Sequence, residues 1–404
     1  MNLTTGLSRH NYYAFLWHAS FLALAQNFMD VDTVIPAMLV EAGGNGLHIG
    51  LMTAIMLGGS SFTQLIFAPL VSNYPYKKKF LLMGINARIA TLLFMSIMLY
   101  LSLEGGYIIW LLFLLITVFS LGGAFANVSY NDILGKSVDQ ERRKSFLSVR
   151  QVFTGLVLLV SALLARKVIT LKAFPLNYSC MFFIGFLALF TASLGFWQLK
   201  EHTPSKMVIK SPAYFLSLIK TELNRNRRLA YFLGFINTMG ISMTLLPFVM
   251  LYAKEMYHTQ SQDTGWFLLS KVIGGVAVGF ILFLVNKKFR YRYLLYGNVF
   301  LVASIGVTFL LSSGEPPFGF IFILGGMVIS VYLISMKGVL LEISDNENRA
   351  LYTGIAGAGN IIPAIFPVLG GWLIERTGYR LLFVLYVILI LVSLIFIYKL
   401  DCKK

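Results

Sequence analysis

A chain of 404 residues that is 57% hydrophobic and only 12% charged, with a mean hydropathy of +0.76, lies far from the roughly 25% charge of soluble domains. This excludes a soluble globular enzyme and points to a polytopic membrane protein. Apolar runs of about 20 residues recur down the chain, long enough to cross a hydrocarbon core of roughly 30 Å as helices. Because the runs are continuous and do not alternate, a closed β-barrel is excluded as well. The formal charge of +16 would suit nucleic acid, but its placement follows a bilayer.

Span 1, Tyr12 to Val40, holds the least comfortable stretch of the sequence, Gln26-Asn27-Phe28-Met29-Asp30-Val31-Asp32-Thr33-Val34-Ile35-Pro36. A carboxylate at bilayer depth costs on the order of 2.5–3.5 kcal/mol, so such a residue implies function. Ala23-Leu24-Ala25 resembles a signal-cleavage site. Cleavage there would leave an odd number of spans, and His18 interrupts the apolar run, so it is read as part of the span. Span 2 (Leu47 to Val71) ends in a tight basic turn, Lys77-Lys78-Lys79. Spans 3 to 6 follow at Phe80–Leu101, Tyr107–Ile133, Phe146–Ala165 and Leu176–Leu199. The polar interval 200–228 contains an apolar-periodic run from Pro212 to Leu223 beside a basic end, which predicts a helix lying on the anionic inner leaflet. Six further spans run Leu229–Tyr252, Gly265–Val285, Tyr293–Leu311, Phe318–Leu341, Leu351–Ile374 and Tyr379–Tyr398.

The halves echo each other. Asp139-Gln140-Glu141-Arg142-Arg143 before span 5 matches Asp345-Asn346-Glu347-Asn348-Arg349 before span 11. Glycines and basic turns around spans 2 and 8 match too: Gly58, Gly59 and Lys77 to Lys79 against Gly274, Gly275, Lys287 and Lys288. This is a parallel repeat about an axis along the membrane normal. The expected architecture is all-α, with about twelve transmembrane helices in two pseudo-symmetric bundles: 1–199, a basic linker 200–228, and 229–404. Most of the 33 Lys and Arg then fall on one side, which the positive-inside rule makes cytoplasmic together with both termini. A bacterial inner membrane is the expected location. Cys180 and Cys402 fall on opposite sides, so no disulfide is expected.

On these features the chain resembles the major facilitator superfamily over essentially its full length, and the end of span 1 is similar to a branch of bacterial permeases. The family's Gly-x-x-x-Asp-x-x-Gly-basic-basic turn is worn down: Ser72 takes the Asp position and Pro75 a Gly position. Span 4 lacks an Arg-x-x-x-Gly element and span 5 lacks the Gly-Pro pattern of drug/proton antiporters. The resemblance implies a central cavity lined by spans 1, 4, 7 and 10.

Polar residues at helical spacing supply candidates for its walls. On a continuous helix turning about 100° per residue, Gln26, Asp30 and Thr33 share a face and Asp32 points roughly 160° away from Asp30. Asp30 is therefore the preferred proton-coupling group, with Asp32 the second choice. Span 4 contributes Ser120, Asn127 and Asn131, span 7 Asn237 and Thr244, and span 10 Ser330 and Lys337. Lys271, on the side of span 8 that carries Gly274 and Gly275, is the expected partner of Asp30 or Asp32, or of a substrate carboxylate. Arg88 is expected to pair with Asp132 or Glu342, and Arg143, Arg150, Asp139 and Arg349 to serve as gate or structural charges.

His10, His18, His48, His202 and His258 are scattered without metal-ligand spacing, and no phosphate-binding loop exists. No enzymatic activity, cofactor, metal or nucleic acid is expected. The expectation is a monomeric secondary transporter of a small organic solute, proton-coupled and working by alternating access. Alternatives are a lipid or amphiphile flippase or drug exporter, an organic-anion uniporter using Lys271 and Arg150, and a non-transporting receptor or assembly factor.

Overall fold

The computed structural model describes residues 5–102, 107–138, 140–204, 212–285, 290–344 and 349–400. Among them the regular structure is helical, without strands. Ten helices are long and apolar enough to cross a membrane, and a further helix is apolar over Gly46–Gly59.

The first half contains α1 (Thr5–Gln26), a 3-10 turn Asn27–Met29, α2 (Val34–Glu41), α3 (Gly46–Ser72), α4 (Lys78–Tyr100), α5 (Tyr107–Ser137), α6 (Gln140–Ile169) and α7 (Leu176–Gln198). The linker forms α8 (Pro212–Arg225). The second half contains α9 (Arg227–Met239), a 3-10 turn Gly240–Thr244, α10 (Leu245–Tyr257), α11 (Ser261–Val285), α12 (Tyr291–Leu311), α13 (Phe318–Ile343), α14 (Arg349–Ala358), α15 (Ile362–Thr377) and α16 (Tyr379–Leu400). Packing pairs within each half repeat: α1 with α7, α4 with α5 and α4 with α7 recur as α9 with α16, α12 with α13 and α12 with α16.

Three spans read as continuous from the sequence are interrupted, each just before a proline. Pro36 is the third residue of α2, Pro247 the third of α10, and Pro363 the second of α15. Proline has no N–H for the carbonyl four residues earlier, and its ring crowds that carbonyl. The carbonyls affected are those of Asp32, Met243 and Gly359. The chain leaves the helix there: Asp30 is extended (φ −65°, ψ 126°) and Thr33 takes φ −130°, ψ −59°. Thr33-Val34-Ile35-Pro36 and Thr244-Leu245-Leu246-Pro247 are the same Thr-x-x-Pro element in the two halves, and both threonines are fully buried. The single α-helical wheel drawn for Gln26, Asp30 and Thr33 therefore does not hold, because the chain between them passes through a 3-10 turn and an extended residue.

By packing, the chain forms two compact units: Met1–Asp30 with Phe62–Leu216, and Val31–Ser61 with Ser217–Lys404. The first unit is centred on an aromatic cluster in which Phe15 meets Tyr130 at 5.2 Å, Phe146 at 6.2 Å and Phe196 at 6.1 Å. In the second, Phe309 stacks on Phe383 at 4.2 Å and Phe267 on Phe322 at 4.9 Å.

Candidate functional site

In the second unit, the stretch Val31–Ser61 is tied to the C-terminal helices by charge and by close backbone contact. Lys271 Nζ donates to Asp32 Oδ2 at 2.8 Å, with the two side chains only 13% and 11% exposed. At the end of α2, Lys254 Nζ lies 2.6 Å from Glu41 Oε1 and also donates to the Thr259 carbonyl at 2.9 Å. Gly46 N–H, opening α3, donates to Glu375 Oε1 at 2.8 Å. A Cβ at Gly50 would overlap the Pro367 carbonyl, and one at Gly371 would overlap that of Gly46, so α3 runs directly against α15. Lys271 itself is held by a similar contact. A Cβ at Gly326 would strike the Lys271 carbonyl and one at Gly274 that of Ile323, which brings α11 and α13 together backbone to backbone.

The sequence leaves open whether Lys271 serves Asp30 or Asp32; the ion pair is with Asp32. Asp30 is buried at 9% exposure and ends the first unit, so the packing boundary falls between it and Val31. Its neighbour Asn27 donates to the Leu158 carbonyl at 2.8 Å, and Ser161 donates to the Leu24 carbonyl at 2.6 Å, fixing the end of α1 to α6. Gln26 is exposed.

On α5, Ser120 is buried, while Asn127 and Asn131 are exposed, their side chains 3.5 Å apart. Arg150 Nη1 donates to the Tyr130 hydroxyl at 3.3 Å. Arg88 does not pair with Asp132 or Glu342. Its guanidinium lies 4.2 Å from the centre of the Phe119 ring, because both acids are engaged elsewhere. Asp132 bridges Lys77 at 3.1 Å and Lys136 at 2.8 Å, and Glu342 accepts from Arg228 at 2.9 Å.

A residue that no sequence motif marks completes this cluster in the first unit. Glu201 accepts from the backbone N–H groups of Lys77 and Lys78, at 2.7–2.9 Å, and from Lys136 Nζ at 2.8 Å. A carboxylate on the open N–H groups at the start of α4 also meets the positive end of its dipole. Glu201→Gln should lower stability by about 1.5–3 kcal/mol, the scale of hydrogen bonds to a charged group, measured as a drop in melting temperature in detergent. An unchanged melting temperature would mean that water replaces these contacts.

Asn237 is fully committed to the break in span 11. Its amide donates to the Leu233 and Gly359 carbonyls at 2.9 and 2.6 Å, and its oxygen accepts from Ile361 and Ile362 N–H at 3.1 and 2.8 Å. The Gly359 carbonyl is the one that Pro363 leaves without a helical donor. Thr244 meets the Tyr386 hydroxyl at 2.5 Å in a closed core. Ser330 donates to the Gly275 carbonyl at 3.2 Å, and Lys337 is exposed. Asp139 lies outside the described residues, as do the side chains of Arg143 and Arg349. Tyr352 on α14 donates to Glu222 Oε2 of the linker at 3.0 Å, and Asn226 caps α9 through Arg228 N–H at 3.0 Å.

Comparison with known proteins agrees with this architecture. The family model described as Major Facilitator Superfamily matches residues 16–324 and 231–401. The chain belongs to that superfamily. A putative transporter AmpG 1 of Rickettsia felis is 23% identical over 170 residues, a stretch that covers 40% of this chain and 37% of that relative. Among solved structures, one from a study of substrate recognition in proton-dependent oligopeptide transporters superposes with a TM-score of 0.68 at 12% identity, covering 97% of this chain and 99% of the other. A bacterial homologue of the human lysosomal transporter Spinster gives 0.67 at 11% identity, covering 98% and 97%. A mutant form of the nucleoside transporter NupG gives 0.66 at 14%, covering 96% and 98%. At these identities the likeness is one of fold. This superfamily member is an integral membrane protein with a transporter fold.

Proposed function

We propose that this protein is a proton-coupled secondary transporter of a small organic solute, working by alternating access. The observation that carries the reading is the buried Asp32–Lys271 pair, which begins two residues after Asp30 at a break in span 1. A charged pair and a neighbouring carboxylate are costly at bilayer depth and serve ion pathways and proton relays. In the proposed cycle, Asp30 takes up and releases the proton, while the Asp32–Lys271 pair holds Val31–Ser61 in one of two packings. Breaking the pair is expensive while both groups are charged, so a change of charge at this elbow biases the alternation between states. The bias of Lys and Arg toward one side of the spans supports an inner-membrane location with both termini inside, and the apolar-periodic run of α8 beside a basic end supports its lying on the inner leaflet. The working unit is proposed to be a monomer.

A thermal-shift screen of the purified protein against metabolites would supply a transported solute, and proteoliposomes then test the coupling. In Asp30→Asn, accumulation driven by a pH gradient should fall to the equilibrium level while exchange without a gradient continues. Gradient-driven accumulation that persists in this variant would overturn Asp30 as the coupling group.

A further inference from the structure

We infer that the second unit holds a subsite for a hydroxyl group of the cargo, formed by Tyr332 and Asn360 around Gly240, and hence that the transported solute is an uncharged, hydroxylated compound; this deepens the transporter reading and rests on it. The subsite lies where the breaks in spans 7 and 11 meet. Gly240 opens the 3-10 turn after α9, and Asn360 stands between α14 and α15. A Cβ at Gly240 would lie 3.0 Å from the Tyr332 hydroxyl oxygen and 3.1 Å from Asn360 Oδ1, so both oxygens face one point that a glycine leaves open.

Both oxygens are buried without a hydrogen-bond partner, so they do not bond each other. Tyr332 is only 4% exposed, and burial of its hydroxyl is unfavourable until something bonds it. The surroundings set the direction of each group. The Tyr332 ring, on α13, lies 6.2 Å from that of Phe235 on α9. On either side of Asn360 the chain is gripped by Asn237, which donates to the Gly359 carbonyl and accepts from Ile361 and Ile362 N–H. Asn237 closes the break, so the Asn360 oxygen is not spent on it. Asn237 and Gly240 are three residues apart, on one side of the end of α9.

Two oxygens that face one point without meeting leave the place of a single bridging group, and their chemistry selects it. An amide oxygen only accepts, whereas a phenol both donates and accepts. A hydroxyl satisfies both, donating to Asn360 Oδ1 and accepting from Tyr332. A carboxylate or phosphate would set oxygen against oxygen at Asn360. An ammonium would leave the Tyr332 proton unused and bring charge to two neutral groups. Asn360 is half-buried, which gives a solute access, and broken helices near the midplane are where secondary transporters bind their cargo.

The test uses the purified full-length protein and two matched probe pairs: myo-inositol against cyclohexanol, and uridine against dideoxyuridine. Melting-temperature titrations give an apparent affinity for each. The hydroxylated member of at least one pair should bind more tightly than its partner, because a site built to bond a hydroxyl rejects the analogue that lacks it. Tyr332→Phe and Asn360→Ala should each weaken that binding by about tenfold. The double variant should lose little more than either single one, since both residues act through one shared hydroxyl. Tyr332→Phe removes one atom and serves alone if Asn360→Ala misfolds.

Silence of both hydroxylated probes, equal responses within each pair, additive losses in the double variant, or a preference that survives Tyr332→Phe would each overturn the subsite. So would a fall in the melting temperature of unliganded Tyr332→Phe, which would mark a structural water only between the two oxygens. Failure here is separable from failure of the coupling. Asp30→Asn should keep the preference for the hydroxylated probe, and gradient-driven flux of a solute without hydroxyl groups would leave the coupling standing without this subsite.

Discussion

Replacing Lys271 with methionine should lower the stability of the purified protein by about 3–5 kcal/mol, because it removes the ammonium from a buried Asp32 carboxylate. The two side chains are 13% and 11% exposed and 2.8 Å apart. Asp32→Asn should cost a similar amount, since the Lys271 ammonium then loses its carboxylate partner. Adding Asp32→Leu to Lys271→Met should recover most of the loss, as replacement of a whole buried pair by apolar groups is often neutral or better. The double variant should nevertheless transport poorly, because the packing of Val31–Ser61 would no longer respond to charge. Melting curves of the two single variants and the double one form a complete cycle. Additive losses would show that the pair contributes nothing as a pair. Asp30→Asn separates the roles: it should alter coupling far more than it alters the melting temperature.

The second large effect is expected at Gly326. A methyl group there would occupy the space of the Lys271 carbonyl and come within 3.0 Å of the Gly275 backbone nitrogen. Backbone cannot move aside as a flexible side chain can, so the helices must separate. Gly326→Ala should cost about 1–3 kcal/mol, the range for overpacking, and Gly326→Leu should yield little folded protein by size-exclusion chromatography. Within lipid, helix association depends on such close contact, since no hydrophobic gain remains to replace it. The same substitution should displace Lys271 from Asp32, so the Ala variant should lose transport more than its stability suggests. Gly279, which has open space around its Cβ direction, is the control: Gly279→Ala should change neither.

Much of this architecture is legible in the sequence because bilayer physics leaves so few choices. Apolar runs set the spans, and most helix ends lie within a few residues of the expected ones; Phe80–Leu101 is found as Lys78–Tyr100 and Phe318–Leu341 as Phe318–Ile343. The breaks carry a sequence signal too, one that the apolar runs conceal. Pro36 and Pro247 sit at matching places in Thr-x-x-Pro, and each removes a helical donor in mid-span. Lys271 is legible as facing a close neighbour, because the glycines beside it admit another backbone. Arg88 is where the sequence misleads: a lone cation in a span suggests any acid at a similar depth, and only packing shows that Asp132 and Glu342 are already engaged.

The sequence by itself determined the solvent the chain lives in, its orientation signal, the twofold repeat and the short set of intramembrane charges. Those depend on composition and period, which lipid enforces residue by residue. Which charge meets which was decided by the tertiary structure alone. Asp32 is 239 positions from Lys271, Glu201 is 124 from Lys77, and Asn237 sits over a break at Gly359. Pairings over such distances depend on helix rotation and on where glycines let backbones touch. The break after Met29 likewise takes Asp30 off the helical face that it would share with Gln26 and Thr33.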